Sequence, residues 1–187
     1  MKITGHKEQP SSYYDAVYKT VEQKVVPRQK AVAEYIEEHI EFPNILDVGC
    51  GCGTFAEAMY YIWEYRGFDF SEEAIKKALQ RNVMIPSGDN PYNFWVGDCF
   101  DHTNYLPLDY NVIVCGQVLE HVDDLRLLRM FPRKVKIICT VPMFDDPAHV
   151  RYYESLADVH NRFNDSMRID QIVQLEKNQI MIVGEKP

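Results

Sequence analysis

Residues 45–53 read ILDVGCGCG, an apolar run with one acid, Asp47, that ends in glycines at 49, 51 and 53. Three glycines in five residues let the backbone take positive φ angles and bring N–H groups closer to a bound group than side chains would permit. From Pro43 onward, short apolar runs alternate with amphipathic stretches, the pattern of a parallel sheet with helical crossovers. Strands are predicted over 44–48, 65–68, 93–96, 110–115 and 135–140. Helices fit between them. One covers 54–63, with Phe55, Met59 and Ile62 on one face; one covers 72–81, opened by Ser71; one covers 124–131 and is stopped by Pro132. The tail MRIDQIVQLEKNQIMIVGEK reads as two β-rich runs joined at Glu176, Lys177 and Asn178, an antiparallel hairpin at the sheet edge.

The glycine turn closes the first predicted strand, the end at which doubly wound sheets take their ligands. The second strand ends in RGFDF and sets Asp69 about 20 residues beyond Asp47, the separation at which an acid accepts hydrogen bonds from ribose hydroxyls. A dinucleotide turn needs GxGxxG, and here the third position would be Thr54, so a nicotinamide oxidoreductase is disfavoured. Asp47 ahead of the turn suits an α-amino group, direct or through water, better than a pyrophosphate. The expected ligand carries an ammonium, a ribose and an adenine.

A chain of 187 residues, 46% hydrophobic and 26% charged, has the length and composition of one soluble domain over residues 1–187. Residues 1–12 are polar and are expected to form a mobile arm; residues 13–42 read as two helices meeting at Pro27; residues 43–187 form the core. A net charge of −8 gives no attraction toward nucleic acid. Arg126, Arg129, Arg133, Lys134 and Lys136 are read as a solvated face. Five cysteines without metal spacing fit a reducing cytoplasm, and no apolar run has the length of a leader or a membrane helix.

In order along the chain, ILDVGCGCG, YRGFDFS, FWVGDCF and NVIVCGQVLEHV resemble the motifs of class I S-adenosylmethionine-dependent methyltransferases. The resemblance runs from about Tyr13 to the end. It implies a Rossmann-like fold with a seven-stranded, mostly parallel sheet and helices on both faces. S-adenosylmethionine is the implied cofactor and S-adenosylhomocysteine the product. Asp47, Gly49, Cys50, Gly51 and Gly53 would form the turn around the cofactor, and Asp69 would bind the ribose. Phe70 would pack on adenine, Asp98 and the Cys99 backbone would bind its edge, Gln117 and Val118 would line the sulfonium end, and Tyr14 would help cover it.

The acceptor side is expected beyond the fourth and fifth strands. QVLEHVDD supplies Glu120 and His121, and TVPMFDDPAHVRYYE supplies His149 and Arg151, all candidates for positioning or proton transfer. The second stretch, with DVHNRF, resembles a subgroup of small bacterial and phage methyltransferases in which asparagine commonly stands at the place of Met143. Many members of that subgroup lie near surface-glycan functions. A small-molecule or glycan-precursor acceptor, O- or N-methylated by a monomer or homodimer, is expected, with no metal assigned. Two alternatives are a non-catalytic cofactor-binding protein and a metal-assisted RNA 2′-O-methyltransferase. The latter enzymes use ExxEH with a later histidine, and Gln117, Glu120, His121 and His149 would be the matching positions.

Overall fold

The computed structural model describes residues 1–59, 64–82, 92–176 and 178–187. The chain opens with a two-residue strand, β1 (Lys2–Ile3), and two helices, α1 (Ser11–Thr20) and α2 (Pro27–His39). Pro27 starts α2, where its missing N–H costs nothing, and residues 21–26 between the helices are extended or irregular. The sheet is then built from β2 (Asn44–Val48), β3 (Glu64–Asp69), β4 (Tyr92–Val96), β5 (Val112–Gly116) and β6 (Lys136–Pro142). The crossovers hold α3 (Thr54–Ala58), α4 (Glu72–Asn82) and α5 (Asp124–Met130). After a short strand, β7 (Arg151–Tyr152), and α6 (Leu156–Phe163), the chain ends in β8 (Arg168–Leu175) and β9 (Gln179–Glu185).

The seven strands lie in the order β4-β3-β2-β5-β6-β9-β8, parallel except for β9, which pairs antiparallel with both neighbours. This is the Rossmann-like methyltransferase sheet expected from the sequence. In β2, Ile45 packs into one buried cluster with Val32, Ile36 and Val112, while Leu46 and Val48 pack into the opposite cluster with Ile113, Leu127 and Phe163. Alternate side chains thus serve opposite faces, and because both faces are covered the strand reads as nearly continuous apolar sequence. Edge strand β8 is half-buried and carries a bulge between Ile169 and Gln171. Its charged end meets Lys136, whose ammonium lies 2.8 Å from Asp170 and 3.0 Å from Glu185.

Two expectations are refined. Within the polar first residues, positions 2–4 are paired: β1 pairs antiparallel with β7, and the Thr4 hydroxyl donates to the His149 carbonyl at 2.6 Å. Backbone pairing supplies the order that an apolar pattern would otherwise announce. Helix α3 closes at Ala58, with Met59 extended but buried. The remainder of the predicted 54–63 helix, including Ile62, lies outside the described residues, as does Lys177 in the hairpin turn.

Candidate active site

Strand order reverses between β2 and β5, and a cavity of about 390 Å³ opens beyond their carboxyl ends. The turn after β2 forms its floor. Gly49 and Gly51 have φ of +72° and +55°; a Cβ on Gly49 would collide with the Val118 side chain, and one on Gly51 would stand 2.8 Å from the Tyr18 hydroxyl. The Gly49 and Cys50 N–H groups both donate to the Phe68 carbonyl, at 2.8 and 3.0 Å, which ties the turn to β3. Gly53 also has positive φ but faces Ala78 and Phe94 rather than the cavity, so it serves helix packing.

Asp69, at the end of β3, is buried, with Oδ2 accepting from the Gly51 N–H at 3.0 Å and Oδ1 from the Ser71 N–H at 2.9 Å. Burial nevertheless raises its pKa to about 6. Phe70 lines the cavity beside it, with the Tyr14 ring 5.2 Å away. Asp98 and Cys99 form the next part of the wall. The Asp98 carboxylate accepts from the Phe100 N–H at 2.8 Å and the Cys99 carbonyl from the Tyr105 hydroxyl at 2.7 Å, which fixes this loop. Gln117 and Val118 also line the cavity. Gln117 has φ +60°, a left-handed conformation uncommon outside glycine, and its amide donates to the Thr140 hydroxyl at 3.3 Å.

Asp47 stands apart from the main cavity. It is buried, accepts from the Tyr65 hydroxyl, and borders an adjoining recess of about 40 Å³, with burial raising its pKa to about 7. The sequence reading missed Arg28, which borders both the cavity and the recess and is the one lysine or arginine among the described residues that line either. Tyr18, on the same helix as Tyr14, lines the cavity as well. The roof is α1, held to α4 by the Ser71 hydroxyl donating to Asp15 at 2.6 Å and by Lys77 donating to backbone carbonyls at Tyr18 and Val21.

On the acceptor side the four candidates separate. His121 lines the cavity, with the Tyr14 ring 5.7 Å away and the His149 ring 4.9 Å away. Nδ1 of His121 lies 2.9 Å from the Ala148 carbonyl and Nδ1 of His149 lies 3.2 Å from the Phe144 carbonyl. A carbonyl only accepts, so both protons sit on Nδ1 and both Nε2 atoms keep a lone pair. Burial lowers both pKa values, that of His121 to about 4. Glu120 is fully buried behind His121, neither carboxyl oxygen has a hydrogen-bond partner, and burial raises its pKa to about 8. Its carboxyl group and the two imidazoles offer ligand atoms within 4.8 Å of one another. Gln117, the fourth position of the metal-assisted alternative, has its amide engaged by the Thr140 hydroxyl. Arg151 is also turned away: its guanidinium donates to the Leu119 and Val122 carbonyls and lies 3.6 Å from Asp124, bracing the turn that carries Glu120 and His121.

A family model described as a methyltransferase domain matches residues 21–174, and the chain belongs to that family. Its sheet order and glycine turn are those of the Rossmann-like class I methyltransferase fold. Among solved structures, the fold is similar to magnesium protoporphyrin IX methyltransferase from Synechocystis PCC 6803 with bound SAH, at 16% identity and TM-score 0.65, covering 95% of each chain. It is also similar to a SAM-dependent methyltransferase from Aquifex aeolicus, at 14% identity and TM-score 0.70, covering 96% of this chain and 100% of that one. Among curated proteins, a ubiquinone biosynthesis O-methyltransferase of Thiobacillus denitrificans is 37% identical over 82 residues, 43% of this chain and 34% of the relative. The chain thus spans about a third of the length of the curated relatives it matches. No helix among the described residues is long and apolar enough to cross a membrane.

Proposed function

We propose that residues 1–187 act as one methyltransferase domain that O-methylates a small-molecule acceptor. The observation that carries this reading is the charge in the cavity lining: buried Asp69, and Arg28 as the one lysine or arginine among the described residues that line it. S-adenosylmethionine would supply an electrophilic methyl group on a sulfonium. Its zwitterionic amino-acid end and its ribose demand both signs of charge at separate places, and these residues fit. Asp69 has lone pairs left for ribose hydroxyls after serving the Gly51 and Ser71 N–H groups. Arg28 reaches the carboxylate, and Asp47 the ammonium through water in the recess. Phe70 and the Asp98–Cys99 loop hold the adenine, while Gly49, Cys50, Gln117 and Val118 enclose the sulfonium end and exclude water.

His121, which lines the cavity, and His149, its ring 4.9 Å behind, position the acceptor, and burial lowers the pKa of both. Arg151 acts one step back, as the brace of their turn. The O-methyl class comes from the curated relatives, whose shared name is ubiquinone biosynthesis O-methyltransferase. Thermal melting with S-adenosylhomocysteine, S-adenosylmethionine and NAD tests the cofactor half, since a ligand at one hundred times its Kd stabilises by about 2.7 kcal/mol. A rise with the first two alone is expected, followed by O-methylated products from a panel of hydroxylated small molecules. A rise with NAD alone, or none in folded protein, overturns the reading.

A further inference from the structure

We propose that Glu120, His121 and His149 form a binding site for one divalent transition-metal ion, open on its cavity side to an acceptor bearing neighbouring oxygens. The statement about the acceptor rests on the function proposed above; the ion site itself does not. Three independent features support it. First, the ligand atoms of the three side chains lie within 4.8 Å of one another, and metal bonds of about 2.0–2.2 Å place adjacent donors about 3 Å apart, a difference that small side-chain rotations close. Second, each imidazole already has its Nδ1–H on a backbone carbonyl, at Ala148 and Phe144, the outer contact that orients a metal-ligating histidine and leaves Nε2 free to bind. Third, Glu120 is fully buried with two oxygens that nothing satisfies, whereas buried polar atoms are normally paired.

The backbone holds the donors in place without the ion. The Val150 N–H donates to the Glu120 carbonyl at 2.9 Å, joining the two ligand-bearing segments, and Arg151 clamps the carbonyls at Leu119 and Val122 on either side of Glu120 and His121. One carboxylate with two imidazoles suits Mn²⁺, Fe²⁺, Co²⁺ or Zn²⁺ better than Mg²⁺ or Ca²⁺, which prefer all-oxygen shells. Three protein donors leave positions open, and the site reaches the cavity through His121. Two adjacent hydroxyls on an acceptor would fill them, and a hydroxyl on such an ion gives up its proton to water at lower pH than a free one.

The test uses the full chain stripped by chelator and titrated with Co²⁺, read by visible absorption and by calorimetry, with Mg²⁺ for comparison. One Co²⁺ per chain is expected, with Mg²⁺ weaker, and Glu120→Gln and His149→Ala each lowering Co²⁺ affinity at least tenfold while S-adenosylhomocysteine binding persists. Two results overturn the site: no saturable Co²⁺ binding by wild-type protein that binds S-adenosylhomocysteine, or undiminished affinity in both variants, which would place the ion elsewhere, such as at the His6–Asp145 pair. Co²⁺ binding without S-adenosylhomocysteine binding would uphold the ion site and overturn the proposed cofactor instead.

Discussion

Asp69 and Glu120 are both buried carboxyl groups beside the same cavity, yet one is finished and the other is not. Each oxygen of Asp69 meets a backbone N–H, from Gly51 and Ser71, whereas neither oxygen of Glu120 has a hydrogen-bond partner, His121 Nε2 standing 3.9 Å from Oε1. The difference separates two ways of preparing a site. The β2–β3 side is complete in the ligand-free chain and offers only its spare lone pairs. The β5–β6 side stores an unpaired acceptor that a further group must satisfy.

The largest effect is expected from breaking the finished side. Asp69→Ala removes two charge-assisted hydrogen bonds, each contributing about 1.5–3 kcal/mol, so S-adenosylhomocysteine affinity measured by calorimetry should fall about a hundredfold or more. Near-normal affinity would put the ribose somewhere else. Next, Arg28→Ala should lower that affinity about tenfold, through the loss of roughly 1.5 kcal/mol at the carboxylate. The same variant should bind 5′-methylthioadenosine, which has no carboxylate, as wild type does; equal losses for both ligands would make Arg28 a structural residue.

On the unfinished side the sign should reverse. Glu120→Met removes the orphan acceptor at similar volume, and metal-free protein should melt higher, by about 1 kcal/mol in stability, since an unsatisfied buried polar group costs about 1–3 kcal/mol. A lower melting temperature would show that Glu120 is satisfied after all. The smallest effect is that of pH. Burial raises Asp69 to about 6 and Asp47 to about 7 in the folded chain, above the usual 3.8. Their contribution to ligand-free stability is therefore present below about pH 4 and lost as pH climbs through 6 and 7. Cofactor affinity should move the other way, rising through pH 6 as Asp69 ionises. Melting curves and calorimetry across pH 4.5 to 8 separate the two slopes.

The sheet and the cofactor motifs were legible because each is written in consecutive residues. A strand covered on both faces is an apolar run, and a backbone turn pressed against a ligand is a run of glycines. The residues that were missed or misplaced depend on direction rather than spacing. Arg28 belongs to a helix whose pattern looks ordinary, and only docking of α2 over the sheet turns it inward. Arg151, next but one to His149, was expected at the acceptor mouth, but its guanidinium folds back onto the carbonyls at Leu119 and Val122. A two-residue strand such as β1 has no periodicity to read.

That strand has a wider meaning. Residues 2–4 are stitched to the segment carrying His149, Glu8 and Gln9 line the cavity, and α1 roofs it, while none of them contributes to the seven-stranded sheet. The first twenty residues therefore cover the cavity without forming part of the sheet that carries its base. Exchanging them between relatives would recast which acceptors are admitted while the sheet register and the cofactor turn stay as they are.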